Sequence, residues 1–373
     1  MINPTVSIVL PSYNGEKYIE ESIKSVIDQS FTDWELIIVD DNSNDNTGLI
    51  ADNYTKIDNR ISVIHNDNNE KLPEALNIGF RNARGKYYTW TSDDNKYLCN
   101  ALEEMVEYLE NNIHIDMVCT NMLIFDNNWK FIRENVQYDD QKMYLEDTVG
   151  ASFMYRKEIV DRIGEYKREF FCVEDYEYWV RILESGLKIG YLKGAYYLYR
   201  VHNESLTISK RETVQKQQRL MYLKHIDWIL NGISKDMNSI LYLYGELLKA
   251  EDIDFNWLNS RFKKIMPVIE YDKKLPQDKD VYIYGAGEYG RRVIEKIGKN
   301  RITAVVDRNC ELQGRDICGI PIISPDELIK KSVFDKKINV VIGVSEEKQF
   351  DIISWLVEHK IESYTLYAHI ETI

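Results

Sequence analysis

The sequence predicts an α/β protein with two α/β units joined by a helical connection, and three observations carry that reading. Unbroken, β-branched apolar runs alternate with amphipathic stretches through the first ninety residues, which is the pattern of a parallel sheet covered by helices. Three of these runs end in polar loops: Pro11-Ser12-Tyr13-Asn14-Gly15, Asp40-Asp41-Asn42-Ser43 and Thr91-Ser92-Asp93-Asp94-Asn95. Far downstream, another apolar run feeds the glycine-rich turn Gly285-Ala286-Gly287-Glu288-Tyr289-Gly290.

Val6-Ser7-Ile8-Val9-Leu10 reads as a buried strand stopped at Pro11. Ile19, Ile23, Val26 and Ile27 then recur at helical spacing. Trp34–Val39 is a second strand, Thr47–Tyr54 a short helix, Ile61–Ile64 a third strand and Glu74–Arg84 a helix stopped by Gly85. Lys86–Trp90 is a strand that ends in the paired acids. Val149–Arg156 is a short strand, followed by a helix over 157–163 with a stop at Gly164. Asp175 stands where a helix cap would, ahead of the core-facing Trp179, Ile182 and Leu183. Ala195–Arg200 is a strand running into a polar loop. Arg211–His225 and Trp228–Lys249 have amphipathic helical spacing. Their aromatic residues Tyr222, Trp228, Tyr242 and Tyr244, with Trp257, pack a core or line an acceptor groove or subunit contact. Residues 271–280, with Pro276 and many charges, form the linker. The domains expected are 1–210, a helical connection and linker over 211–276, and 277–373.

Composition narrows the function classes. The 373 residues are 44% hydrophobic, enough for real cores, and 47 basic against 61 acidic residues give a formal charge of −14. Such a balance argues against a nucleic-acid-binding surface, and an anionic substrate needs a local cation. Five scattered cysteines without a CxxC pair suggest reduced core residues in a cytoplasmic protein. No apolar run approaches the ~18 residues of a spanning helix; peripheral contact with a membrane stays open.

In open parallel sheets, ligands bind beyond the carboxyl ends of the strands. Tyr13 offers a ring for a base, Asp41 an acceptor for a base or ribose, and the Asp93-Asp94 pair hard oxygens for Mg²⁺ or Mn²⁺ against a diphosphate. Each residue also has a plainer reading: Tyr13 as loop packing, Asp40 or Asp41 as a helix cap, Asp93 as a turn residue. Their occurrence at three successive strand ends favours the ligand site.

These three loops, in this order and spacing, resemble the nucleotide-binding half of a family 2 glycosyltransferase with the GT-A fold, similar to the spore coat polysaccharide transferase. The resemblance covers the first 200 residues. It implies that Pro11, Tyr13 and Asn14 line the base pocket, that Asp41 contacts a uracil-type base, that Asp93 faces the ribose or donor sugar, and that Asp94 contacts the metal. Glu174-Asp175 before an aromatic-rich helix resembles the family's catalytic motif, with Asp175 as the base and Glu174 as the second candidate. Tyr199-Arg200-Val201-His202-Asn203-Glu204-Ser205 resembles the closing loop of the family. It implies Arg200 at the diphosphate and His202 at the leaving group or the metal.

In the last hundred residues, Gly285, Gly287 and Gly290 stand between a strand and a helix, and Asp307 closes the next strand. That is the context of a dinucleotide fingerprint. The segment, with Gly319-Ile320-Pro321-Ile322-Ile323, resembles the small Rossmann-like domain attached to sugar acetyltransferases. A nucleotide or nucleotide-sugar ligand is expected first, then an empty structural or oligomerising fold, then NAD.

The sequence therefore predicts a metal-dependent (Mn²⁺ or Mg²⁺) inverting transferase acting in polysaccharide biosynthesis. It would move a sugar from a nucleotide-sugar donor, UDP-linked, to a carbohydrate or lipid-linked glycan acceptor. The rivals are a catalytically weak nucleotide-sugar binding protein and an NAD-linked sugar oxidoreductase acting through the C-terminal domain. Donor sugar, acceptor linkage and oligomeric state are not encoded legibly.

Overall fold

The computed structural model describes residues 3–135, 138–250, 253–262, 275, 277–334, 338–344, 348, 351–353, 355–356, 359–361 and 364–366. The chain forms two compact units, Met1–Ile233 and Ser234–Ile373.

The first unit starts with the predicted alternation: β1 (Val6–Ser12), α1 (Ile19–Ile27), β2 (Trp34–Asp40), α2 (Thr47–Ile57), β3 (Ile61–His65), α3 (Leu72–Asn82) and β4 (Tyr87–Trp90). The four strands are parallel and lie in the order β3-β2-β1-β4. Every residue of β1, β2 and β4 is buried, as expected of strands covered on both faces. The acid near the start of β2 is satisfied there: Glu35 accepts the Ser7 hydroxyl at 2.6 Å and pairs with Arg84 at 2.6 Å. Strand order reverses at β1, which has β2 on one side and β4 on the other. A crevice therefore opens beyond the carboxyl ends of β1 and β4.

The chain continues through β5 (Lys96–Tyr97), α4 (Ala101–Asn111), β6 (Met117–Asp126), β7 (Phe131–Asn135), β8 (Phe153–Arg156), α5 (Glu158–Ile163), α6 (Glu174–Glu184) and β9 (Ile189–Val201). This half of the sheet is mixed. β8 lies antiparallel between β4 and β6, and β9 is parallel to β6 but antiparallel to β5. β7 forms a hairpin with β6. After the short α7 (Leu206–Ser209) come α8 (Arg211–Lys224) and α9 (Ile226–Ile233). Residues 211–233, read from the sequence as part of a connection, belong to this first unit. Met221, Tyr222, Ile226, Ile229 and Leu230 are buried in it, and Tyr222 Oη donates to the Leu145 carbonyl at 2.5 Å.

Several local expectations are corrected. The predicted helix over 228–249 is two helices, α9 and α10 (Met237–Leu248). Asp236 starts the second by accepting the Asn238 N–H at 3.1 Å. Asp45, rather than Asp40 or Asp41, holds the start of α2 through the Thr47 N–H at 2.9 Å. Asp175 lies inside the first turn of α6, because Val173 occupies the cap position. Of the five cysteines, all free, only Cys119 is buried; Cys99, Cys310 and Cys318 are exposed and Cys172 is half-buried. Half of the predicted linker, residues 271–274 and 276, lies outside the described residues.

In the second unit, α11 (Phe255–Phe262) is followed by β10 (Asp280–Tyr284), α12 (Glu288–Ile297), β11 (Ile302–Val306), β12 (Asp316–Ile317), β13 (Ile320–Ile323), α13 (Pro325–Phe334), β14 (Ile338–Ile342) and β15 (Tyr364–Leu366). Its sheet runs β12-β13-β11-β10-β14-β15, parallel except for the β12–β13 hairpin. Cys318 and Gly319, both left-handed, turn that hairpin. Among the described residues no helix is long and apolar enough to cross a membrane.

Candidate active site

The crevice at the ends of β1 and β4 is assembled by loops that hold each other. Asn14 and Asn42 are in the left-handed region, at φ 55° and 64°, where asparagine is tolerated better than most residues. The Asn14 N–H donates to Ser43 Oγ at 2.9 Å, Asn14 Oδ1 accepts the Asn44 N–H at 2.8 Å, and the Gly15 N–H donates to Thr47 Oγ1 at 2.8 Å. Pro11 lies opposite Val39 in the sheet, and Tyr13 stands 48% exposed at the rim. Gly15 has to be glycine: a Cβ there would collide with Asp93 Oδ2 and Ser12 Oγ.

That approach brings β1 against the acids after β4. Ser12 Oγ donates a short hydrogen bond to Asp93 Oδ2. Burial, then the neighbouring Asp94 charge, pushes the Asp93 carboxyl up to about 7, although the Ser12 bond opposes this. Asp94 is placed differently. Its Oδ2 lies 2.9 Å from His202 Nε2, while its Oδ1 is buried with no hydrogen-bond partner, as is His202 Nδ1. A buried carboxylate oxygen without a partner is costly in a resting protein and suits a site completed by a cation. Among the described residues no three acidic, histidine or cysteine side chains cluster to hold an ion alone. Mg²⁺ and Mn²⁺ with nucleotides need no such cluster, since phosphate and water oxygens complete the shell. Asp94 and His202 thus fit a divalent ion shared with a diphosphate.

Arg200, only 3% exposed, is not directed at open space. Its Nε donates to the Asp94 carbonyl at 3.1 Å, Nη2 pairs with Glu21 at 3.0 Å, and its backbone N–H donates to Asn95 Oδ1 at 2.8 Å. Asp41 is also engaged within the protein. It is buried and accepts from Asn66 Nδ2 at 2.8 Å, the Glu70 N–H at 2.8 Å and the Lys71 N–H at 2.9 Å. It thereby fixes the loop before α3, where Lys71 has φ 70°.

The second acid pair sits at the start of α6. Glu174 is buried and accepts the N–H of the left-handed Cys172 at 2.7 Å. Burial, then the Asp175 charge, pushes Glu174 up to about 8. Asp175 is half-buried and accepts the Tyr176 N–H at 2.7 Å. Burial and then the charge of Asp147 raise it to about 7. Asp147 itself accepts the Val149 and Gly150 N–H groups at 2.9 and 3.2 Å. Half-buried Tyr199 lies within electrostatic reach of both pairs: burial and Asp94, with a further contribution from Asp175, raise its hydroxyl to about 12. Sequence reasoning missed Ser12, Asp147 and Tyr199. Ser12 and Tyr199 stand inside the quoted loops, whereas nothing in the sequence sets Asp147 apart from an ordinary turn acid.

In the second unit a cavity of about 570 Å³ lies at the carboxyl ends of β10, β11 and β14, lined among others by Gly285, Gly287, Asp307, Arg308 and Lys348. Gly285 has φ 114°, and a Cβ on Gly290 would collide with the Gly285 carbonyl, so both close the turn onto α12. Around Gly287 a Cβ meets nothing, which leaves that side of the turn open to a ligand. The Asp307 carboxylate holds the turn, accepting the Ala286 N–H at 2.7 Å and the Asn309 N–H at 2.8 Å. The predicted glycines and acid are thus together.

The family model described as glycosyl transferase family 2 matches residues 7–164. Bacillus subtilis TuaG, a putative teichuronic acid biosynthesis glycosyltransferase, is 31% identical over 62% of this chain and 97% of its own length. Escherichia coli WfgD, named a UDP-Glc:alpha-D-GlcNAc-diphosphoundecaprenol beta-1,3-glucosyltransferase, is 27% identical over 62% of this chain and 94% of its own. Among solved structures, the mannosyltransferase PcManGT from Pyrobaculum calidifontis, in complex with GDP-Man and Mn²⁺, superposes with a TM-score of 0.53 at 14% identity, covering 72% of this chain and 77% of that one. S. aureus TarS gives 0.50 at 20% identity over 71% of this chain, which spans about half of TarS. The two structural likenesses speak for the fold.

Proposed function

The chain belongs to the family 2 glycosyltransferases, enzymes of glycosyl transfer, and from that premise we propose a metal-dependent inverting reaction on a nucleotide-sugar donor in the first unit. The donor is a UDP-sugar and the acceptor a hydroxyl of a glycan or lipid-linked glycan, the chemistry named for WfgD. A lipid-linked acceptor places the work at the cytoplasmic face of a membrane, by peripheral contact.

The observation that carries this reading is the buried, partnerless Asp94 Oδ1 beside His202 at the switch-point crevice. Asp94 and His202 would hold the divalent ion, which supplies positive charge against the departing diphosphate. Tyr13 stacks on the base, Pro11 and Asn14 shape its pocket, and Asp41 supports that pocket through the 66–71 loop. Asp93 accepts from a ribose or sugar hydroxyl. On the opposite side of the anomeric carbon, Asp175 receives the acceptor proton as the new C–O bond forms. The bond to the diphosphate breaks with its electron pair leaving on phosphate. Glu174, pushed up to about 8 by burial and then the Asp175 charge, holds its proton more tightly than Asp175, which leaves Asp175 as the carboxylate of the pair. A raised pKa near 7 makes Asp175 a better base than an ordinary carboxylate at neutral pH.

The test is a panel of nucleotide sugars assayed for Mn²⁺-dependent release of nucleoside diphosphate. Release from a UDP-sugar that stops with chelator is expected; release indifferent to chelator, or none from any donor, refutes the reading.

The open cavity of the second unit supports a further assignment there, a phosphate-bearing nucleotide on the Gly285–Gly290 turn with Arg308 and Lys348 as cations. Calorimetry of the full chain carrying Asp94→Ala, with UDP, a UDP-sugar and NAD in turn, separates the ligands. Absence of binding by all three at millimolar concentration removes the assignment.

A further inference from the structure

Three segments distant in sequence converge on the Arg200 guanidinium. Tyr18, at the start of α1, lies 4.3 Å from it by ring centroid, and Trp129, in the β6–β7 turn, lies 4.1 Å from it. Trp129 is held unusually. It has φ 58°, a left-handed conformation that a bulky aromatic rarely adopts. The turn that carries it is pinned by Asp126, whose carboxylate accepts the Asn128 and Lys130 N–H groups at 2.8 and 2.9 Å. Trp129 Nε1 donates to Glu21 at 3.0 Å, the same carboxylate that pairs with Arg200 and Lys96, and Lys96 Nζ sits 3.5 Å from the indole centroid. Tyr18 ties into the turn as well, its hydroxyl donating to Asn127 Oδ1 at 2.6 Å. The Tyr18 ring also packs 5.1 Å from the His202 ring.

What this cage holds is the backbone of the acid loop. Arg200 donates from Nε to the Asp94 carbonyl and from its main chain to Asn95, and two residues later His202 meets the Asp94 carboxylate. We propose that Trp129 and Tyr18 form an aromatic latch that fixes Arg200 and, through it, the Asp94–His202 geometry, so Trp129 is a positioning residue for the divalent ion. The inference rests on the glycosyl-transfer reading. It gives Arg200 a different task from the one suggested by its motif: the guanidinium braces the ligand pair from behind instead of reaching for the diphosphate. A cation held between two aromatic faces and an acid is strongly oriented, and groups that orient metal ligands commonly control affinity.

The test is Mn²⁺ binding, read by electron paramagnetic resonance of free Mn²⁺ with UDP or GDP present, for the wild-type full chain, Trp129→Ala, Trp129→Phe and Tyr18→Leu. Trp129→Ala and Tyr18→Leu are expected to weaken Mn²⁺ binding by about 10–100-fold. Trp129→Phe, which keeps a ring over Arg200, should recover most of the loss. The acceptor KM and the acid limb of the pH profile, which report on the Asp175 side, should stay unchanged. Mn²⁺ affinity equal to wild type in both disrupting variants, with or without a lower Tm, overturns the latch alone. Mn²⁺ binding absent from the wild type as well overturns the latch and the metal-dependent reading together. If Trp129→Ala does not fold, Tyr18→Leu and Trp129→Phe decide the matter by the same measurement.

Discussion

The first unit contains two pairs of adjacent acids, Asp93-Asp94 after β4 and Glu174-Asp175 at the start of α6, and their surroundings give them opposite chemistry. In each pair one member is tied to another loop segment, Asp93 through the Ser12 hydroxyl and Glu174 through the Cys172 N–H, while Asp175 takes the N–H of its neighbour Tyr176. The remaining member differs. Asp94 has an imidazole at 2.9 Å, a guanidinium braced against its carbonyl and one oxygen without a partner. Asp175 instead is raised by burial and then by a third acid, Asp147. The first environment suits a cation and the second suits a proton. On the proposed reading, identical functional groups take up metal binding and base catalysis according to what the fold packs beside them.

The largest way to break this contrast is Asp175→Asn. Turnover should fall by about 10²–10⁴-fold, the usual worth of a general base, while UDP binding in the presence of Mn²⁺ stays near wild type. Parallel measurement of kcat and calorimetric Kd checks this, and an active variant moves the base elsewhere. Asp94→Ala should do the converse. The metal-dependent part of UDP binding should weaken by at least about tenfold, and turnover that remains Mn²⁺-stimulated would make Asp93 or His202 the main ligand. A smaller and sharper test uses pH. Because Asp175 must be ionised to accept a proton and is raised to about 7, kcat/KM should climb as pH rises through about 7. Asp147→Asn removes the charge that adds to burial in raising it, so the acid limb should move to lower pH with the plateau retained. A limb that stays in place would detach Asp147 from the base.

The two pairs were not equally legible in the sequence. Asp93-Asp94 end an apolar strand, third in a series of strand-end loops, and the parallel order β3-β2-β1-β4 follows from local strand–helix alternation. The Glu174-Asp175 side depends on β8, β6 and β9, whose antiparallel and parallel pairings join residues far apart in the chain. No local periodicity encodes such pairings, so the mixed half of the sheet was not foreseen. Arg200 teaches the same lesson at the scale of one side chain. Its motif suggested a phosphate contact, but Tyr18, Glu21 and Trp129 reach it from segments with no sequence relation to it. Asp41 likewise reads as a free acceptor until the 66–71 loop is seen wrapped onto it. The second unit was legible locally, because its glycine turn is closed by contacts within one strand–turn–helix segment and its neighbours.

Ser12→Ala probes the consumed member of the first pair and should give the smallest effect. The Ser12 hydroxyl is the link between the end of β1 and Asp93, and the hydrogen bond favours the ionised carboxylate against burial and the Asp94 charge. Its loss should weaken donor binding by about twofold to tenfold, the net worth of one hydrogen bond. The sign of the pH dependence separates this from simple loss of packing. Without metal Asp93 stands near 7 and should rise further without Ser12, so in metal-free protein there is a window just above pH 7 in which the wild type is more ionised than the variant. Below that window both are protonated, and well above it both are ionised. The deficit in donor affinity, followed by calorimetry of metal-free protein from pH 6 to 9, should therefore peak just above neutrality. A deficit constant across that range would mean that Ser12 only fills space between β1 and the acid loop, and that Asp93 meets the donor, if at all, in a single protonation state.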